Sequence, residues 1–141
     1  MYKAKLSGKN CFHIFNTEEN NLILERFEGI KQVREAFTKD ELVLYYQPKV
    51  NMHTGEIIGV EALMRWIHPE KWIIPPLEFL PVIEGHPLSV EIGEWVIFSA
   101  LSQIKLWQEN GIEIPISVNI GAKQLLEKDF VKYLENILSK F

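Results

Sequence analysis

The chain has 141 residues, of which 47% are apolar and 24% charged, with a formal net charge of −4. These values are typical of one modest globular domain and exclude a basic field that would attract nucleic acid. Cys11 is the single cysteine, so an internal disulfide and a cysteine-based zinc site are excluded. No apolar run reaches the roughly 18 residues of a membrane span, and no secretory signal pattern is present. We therefore expect a cytoplasmic segment with no nucleic-acid or membrane contact, whether or not the parent protein is anchored in a membrane.

The beginning of the chain divides into two segments. Residues 1–16 read as a helix end closed by Gly8, followed by a short alternating strand pattern. Residues 17–39 predict a helix with Thr17 as its N-cap and acidic residues in the first turn. One apolar stripe runs along this helix: Ile23, Phe27, Ile30, Val33 and Phe37. The stripe needs a partner, which is either the following domain or a second chain.

The next two elements predict an antiparallel hairpin. The first strand covers residues 42–49, and turn residues at 51–55 separate it from a second strand that starts at Ile57. This connection is too short for a parallel crossover. Gln47 shares one face of the first strand with its neighbours at positions two residues away.

The second predicted strand carries two charged residues in an apolar run. Residues 57–66 form an apolar run that contains one acid, Glu61, and one base, Arg65. Such a run predicts a strand buried on both faces, with Glu61 and Arg65 on the same face. A buried carboxylate is costly without a partner. Two alternatives follow: a salt bridge to Arg65 or another base, or a metal ligand at the strand end with Arg65 left for an anionic substrate.

The connection that follows predicts mostly loop over residues 67–88, with a short helix at 77–83 after Pro76. Ser89 is a suitable N-cap for a long helix that runs to about residue 110. Its apolar face is predicted from residues at helical spacing: Ile92, Val96, Ala100, Ile104 and Trp107.

The last two elements are a strand over residues 114–120 and an amphipathic helix over 122–141. In a barrel wall, Ser117 and Asn119 would point inward, with Asn119 near the carboxyl end of its strand. The alternative for Asn119 is a hydrogen bond to the following loop.

Five ordered motifs give the chain a resemblance to the N-terminal half of an EAL domain. They are YYQPKV (45–50), GVEALMRW (59–66), PLEFLP (76–81), EIGEWV (91–96) and ISVNIGAKQL (116–125). The opening MYKAKLSGKNCF (1–12) is similar to the closing segment of a GGDEF domain. The resemblance implies three parts: a GGDEF remnant at 1–16, a linker helix at 17–41 and the EAL half-domain at 42–141.

The resemblance implies an α/β fold: a partial TIM-like (β/α) barrel with an antiparallel first strand, truncated after the third strand and its helix. Members of the family hydrolyse cyclic di-GMP to linear pGpG with two Mg²⁺ or Mn²⁺ ions. By resemblance, Glu61 and Asn119 bind metal, Arg65 contacts a substrate phosphate, and Gln47 lies in the substrate groove. The residue types suit these roles, since hard cations take carboxylate and amide oxygens and a guanidinium matches a phosphate diester.

The chain departs from the family in length, because a (β/α)8 barrel needs about 250 residues and about 100 follow residue 41. The acids and the lysine of the second half of the barrel do not occur in it. We therefore expect a fragment of a cyclic di-GMP phosphodiesterase that is inactive alone. The alternative is a non-catalytic module that binds cyclic di-GMP or forms a homodimer through an exposed sheet edge.

Overall fold

The computed structural model describes residues 17–141, so the predictions for residues 1–16 and for the capping side chain of Thr17 lie outside the described residues. Nine elements follow in chain order: α1 (Thr17–Thr38), β1 (Leu42–Val50), β2 (Ile57–His68), β3 (Trp72–Ile74), α2 (Pro76–Ile83), α3 (Pro87–Glu109), β4 (Ile116–Val118), α4 (Ala122–Leu125) and α5 (Phe130–Leu138). None of these helices combines the length and the apolar content that a membrane span requires.

The sheet is organised around β2. β1 pairs with it antiparallel, which confirms the predicted hairpin, and β4 pairs with it in parallel. β3 folds back on the last residues of β2 in a further antiparallel pair. The fold is thus an open α/β sheet of the TIM-like kind with a reversed first strand, as predicted.

The two faces of β2 differ in burial, which corrects the expectation that both are buried. Val60, Ala62 and Trp66 on one face are buried, whereas Glu61 and Arg65 on the other face are only partly buried. The reason is that the described helices which form the core lie on one side of the sheet. The second side is a partly open polar face.

The main core lies between this sheet and helices α1, α2 and α3. Its most enclosed side chains are Leu88, Val33, Ile83 and Ile92, each about 1% exposed or less. The predicted face of α3 is confirmed in its first part, since Val96 and Ala100 are also buried, whereas Ile104 and Trp107 further along are half-buried. The full cluster contains Val33, Ala36, Leu42, Trp66, Ile74, Phe79, Ile83, Leu88, Ile92 and Val96.

Helix α1 packs on this core through its second half. Val33 is buried, but Ile23 and Phe27 of the predicted stripe are exposed, so packing on the following domain accounts for only part of the stripe. Two polar contacts fix the helix: Arg26 donates to the Glu84 carbonyl at 2.7 Å, and Arg34 forms a two-point ion pair with Glu91. That hydrogen-bonded guanidinium lowers the pKa of Glu91.

Three boundaries differ from the sequence predictions. Strand β3 forms where a loop was expected, because three residues give too short a pattern to recognise. Helix α3 begins at Pro87 rather than at Ser89, because Nδ1 of His86 accepts from the Leu88 amide at 3.1 Å and caps the helix. Strand β4 has three residues instead of seven.

The predicted helix over 122–141 is two helices, α4 and α5, separated by a turn at residues 126–129. Gln124 in α4 is buried against Gly93 of α3, and Phe130 in α5 is buried in a cluster with Ile97 of the same helix. In one continuous helix these two side chains would point about 120° apart. The chain must therefore bend between them for both to reach α3.

Candidate functional site

The polar face of the sheet collects the residues singled out from the sequence. Gln47 of β1 and Ser117 of β4 both stand opposite Glu61 of β2 in the strand register. Asn119 follows Ser117 by two residues and Arg65 follows Glu61 by four, so alternation keeps them on the same face. Three strands thus present amide, carboxylate and guanidinium groups to one side.

Glu61 and Asn119 are in direct contact. Nδ2 of Asn119 donates a hydrogen bond of 2.9 Å to Oε1 of Glu61. The parallel pairing of β2 and β4 explains this contact, because it brings the positions beyond Ser117 alongside Glu61. The structure therefore places Asn119 against Glu61 instead of against the following loop, which was the alternative for this residue.

Arg65 is held in place by other groups. Its Nη1 donates to the carbonyl of Met64 at 2.8 Å, and the guanidinium lies 5.9 Å from the centre of the Tyr45 ring. At about 3.3 Å per residue, Arg65 lies roughly 13 Å beyond Glu61 along the strand. The salt bridge between these two residues, one alternative from the sequence, is thus not the arrangement that the structure adopts.

Lys49 is a further polar residue of this face, and no motif in the sequence indicates a role for it. Its Nζ donates to Oγ of Ser117 at 2.8 Å, so the side chain crosses β2 from β1 to β4. The residue opposite Lys49 is Gly59, which has no side chain to block this path. Its position two residues from Gln47 was the signal that placed it on the same face.

A cleft of about 440 Å³ opens beside Asn119, between α2, the first turns of α3 and the turn at residues 119–121. Most of its wall is apolar: Met64, Leu77, Leu80, Ile92, Val96 and Ile120. It lies next to the polar face and not on it, because Met64 and Val96 belong to the core side of the sheet. Sequence patterns gave no indication of this cleft.

The donor groups fit part of a coordination shell for a hard cation. Among residues 17–141 no group of three or more His, Cys, Asp or Glu side chains could hold a metal ion. Glu61 and Asn119 nevertheless offer a carboxylate and an amide oxygen from adjacent strands. Mg²⁺ commonly binds through one or two such ligands together with waters and substrate phosphates, so the pair is chemically suited to it.

Comparison of the sequence with known proteins identifies the family that its motifs resemble. The EAL domain profile matches residues 30–141. The chain is 40% identical over 139 residues to the bifunctional diguanylate cyclase/cyclic di-GMP phosphodiesterase MucR of Pseudomonas aeruginosa, covering 98% of this chain and 20% of that protein. It is 37% identical over 140 residues to the cyclic di-GMP phosphodiesterase PdeR of Escherichia coli, covering 99% and 21%. The chain thus spans about a fifth of these relatives.

Solved structures of similar proteins indicate the same family. The MucR phosphodiesterase in complex with c-di-GMP superposes with a TM-score of 0.75 at 41% identity, over 80% of this chain and 46% of that one. The EAL enzyme Bd1971 in its cAMP- and cyclic-di-GMP-bound form gives 0.73 at 32% identity, over 84% and 34%. The chain therefore belongs to the EAL domain family, of which it carries a part.

Proposed function

We propose that this chain provides the first metal- and phosphate-binding residues of a phosphodiesterase specific for cyclic di-GMP, which is hydrolysed to linear pGpG. The observation that carries the proposal is the 2.9 Å contact between Asn119 and Glu61 on adjacent parallel strands. Two relatives named as cyclic di-GMP phosphodiesterases align with almost the whole chain, which supports the same chemistry here.

Four residues of the polar face have a role in this proposal. Glu61 and Asn119 hold Mg²⁺ or Mn²⁺ through oxygen atoms, and their mutual hydrogen bond orients both side chains beforehand. A divalent ion held there would supply Lewis-acid activation of water and would stabilise charge on the phosphate. Arg65 binds a phosphate oxygen of the substrate through its guanidinium fork. Gln47, opposite Glu61, lines the groove in which the dinucleotide lies.

Hydrolysis is assigned to a longer protein and not to these 141 residues. Two oxygen ligands leave most of a two-ion coordination shell unfilled, and the chain covers 46% of the MucR phosphodiesterase structure. We propose that residues 42–141 form the N-terminal half of the EAL domain, that 17–41 form a linker helix, and that 1–16 derive from a GGDEF domain.

Titration calorimetry of the chain with cyclic di-GMP and Mn²⁺ tests the assignment. We expect weak binding that Arg65→Ala abolishes. Arg34→Ala is the matched control, because this guanidinium pairs with Glu91 on the helical side of the sheet. Equal binding by both variants would reject the role of Arg65.

A turnover assay of the same samples tests the expected inactivity. We expect no conversion of cyclic di-GMP to pGpG by the chain alone. Clear hydrolysis that Glu61→Ala abolishes would show that these residues suffice for catalysis and would contradict the division of the site proposed above.

A second candidate function is a dimerising interaction module. The exposed apolar residues Leu22, Ile23, Leu24 and Phe27 in the first half of α1 favour it, since a second copy could cover them. Sedimentation at several protein concentrations distinguishes the two functions. A monomer at every concentration would reject the self-association proposal and leave the binding proposal untouched.

A further inference from the structure

Gln124 is the one buried polar side chain among residues 18–141, with 2% of its surface exposed. Its Nε2 atom has no hydrogen-bond partner there. A buried donor without a partner costs about 1–3 kcal/mol, and apolar residues of similar size avoid that cost. The amide group itself therefore adds no stability here, and the role of this residue lies in how its side chain packs.

The amide of Gln124 occupies space that only a glycine leaves free. A Cβ atom added to Gly93 in α3 would lie 2.7 Å from Cδ of Gln124 and would also overlap Oε1. A glycine within a helix is itself unfavourable by roughly 0.5–1 kcal/mol relative to alanine. Two unfavourable features thus meet at one contact between α3 and α4.

The contact between Gln124 and Gly93 lies just after the turn at residues 119–121, which carries Asn119. Helix α4 begins directly after Gly121, and its Leu125 amide donates back to the Gly121 carbonyl at 3.1 Å. A helix of four residues gains little stability from its own hydrogen bonds. The packing of Gln124 against Gly93 therefore helps to tie the turn to the long helix α3, together with Ile120, which packs on the cluster that contains Ile97 of that helix.

We propose that Gln124 is a positioning residue for Asn119. Its side chain, seated against Gly93, holds the turn between β4 and α4 so that the Asn119 amide reaches Glu61. The catalytic meaning of this contact rests on the proposed function, whereas the positioning itself depends only on the geometry of α3, α4 and the turn.

The test measures the side-chain amide signals of Asn119 by ¹⁵N-edited NMR, in the unmodified chain and in the Gly93→Ala variant. The added methyl group displaces Gln124, so we expect the Asn119 amide signals to shift. We also expect their exchange with water to become about tenfold faster, which corresponds to about 1.4 kcal/mol. Gly29→Ala is the matched control, because its Cβ would lie 2.7 Å from Cγ1 of Val82, in the contact between α1 and α2.

Two substitutions of Gln124 keep the proposal testable even where Gly93→Ala does not fold. Gln124→Ala removes the seated side chain and should loosen Asn119 to a similar extent. Gln124→Met keeps the length, removes the unpaired donor and should leave the Asn119 signals in place. Unchanged Asn119 signals in folded Gln124→Ala, or an equal effect of Gly29→Ala, would overturn the proposal.

Addition of Mn²⁺ separates this inference from the proposed function. Paramagnetic broadening of the Glu61 and Asn119 signals is expected in the unmodified chain. Absence of broadening would count against the metal role of these two residues. The amide signals of Asn119 in the metal-free variants would still decide whether Gln124 positions it.

Discussion

Leu88→Ala is the substitution that tests the described core most directly. Leu88 is the second residue of α3, after Pro87, and its side chain is fully enclosed. Leu77 is the second residue of α2, after Pro76, and is 86% exposed. The same change at these two positions therefore differs in burial and in little else.

The two variants should differ widely in stability. A buried Leu→Ala change costs about 2–5 kcal/mol, from lost transfer energy and from the cavity that remains. An unfolding entropy of about 2.1 cal/mol/K per residue gives about 0.3 kcal/mol/K for this chain, so 3 kcal/mol lowers Tm by about 10 °C. Leu77→Ala should stay within about 0.5 kcal/mol of the unmodified chain.

Urea denaturation monitored by circular dichroism measures both free energies of unfolding, and a thermal scan gives the matching Tm values. A Leu88→Ala variant as stable as Leu77→Ala would mean that α3 does not close the core as described. The packing that supports the polar face of the sheet would then need a different explanation.

Two further predictions concern α1 and the end of α3. Because its bond to Arg34 holds the pKa of Glu91 below the usual value, this pair stabilises the fold above the unfolded pKa, and the contribution is lost as pH falls through the folded pKa. Arg34→Met should remove this loss of stability at acid pH, which for an exposed pair amounts to at most about 1 kcal/mol. Urea titrations at several pH values measure it. Gly111→Ala should cost about 1–2 kcal/mol, because φ is +73° with no atom in the way. Gly121→Ala should leave the stability nearly unchanged, because φ at Gly121 is −71°. An equal loss of stability in Gly111→Ala and Gly121→Ala would contradict the explanation from backbone conformation. An Arg34→Met variant that loses as much stability at acid pH as the unmodified chain would contradict the role of the ion pair.

The hairpin and the polar face could be predicted from the sequence because both depend on local rules. The short connection before Ile57 permits only an antiparallel pair, and alternation assigns Glu61 and Arg65 to one face of their strand. That Gln47 shares this face follows from the register of β1 against β2, which the sequence did not predict. The contact of Asn119 with Glu61 needed one more fact, the parallel pairing of β4 with β2, which the family resemblance implied.

The features that could not be predicted depend on tertiary contacts. The amphipathic pattern over residues 122–141 predicts one continuous helix, yet Leu126 is 83% exposed because the chain bends before Phe130. The seat of Gln124 against Gly93 joins two residues 31 positions apart, and no local pattern marks a buried amide without a partner. Likewise, the cap of α3 by His86 depends on the loop conformation before Pro87.

The register that builds the polar face is maintained by the opposite side of the same strands. A slip of β1 by one residue would turn Gln47 and Lys49 toward the core and expose Tyr46. Tyr46 packs edge-on against Trp107 of α3, with ring centres 5.1 Å apart, and Leu42 at the other end of the strand is 4% exposed. Because a slip would sacrifice both contacts and bury a lysine, the apolar face of β1 fixes which polar side chains stand beside Glu61. Substitutions in the core of this sheet should therefore affect the proposed binding of cyclic di-GMP through strand register, even where they lie away from the polar face.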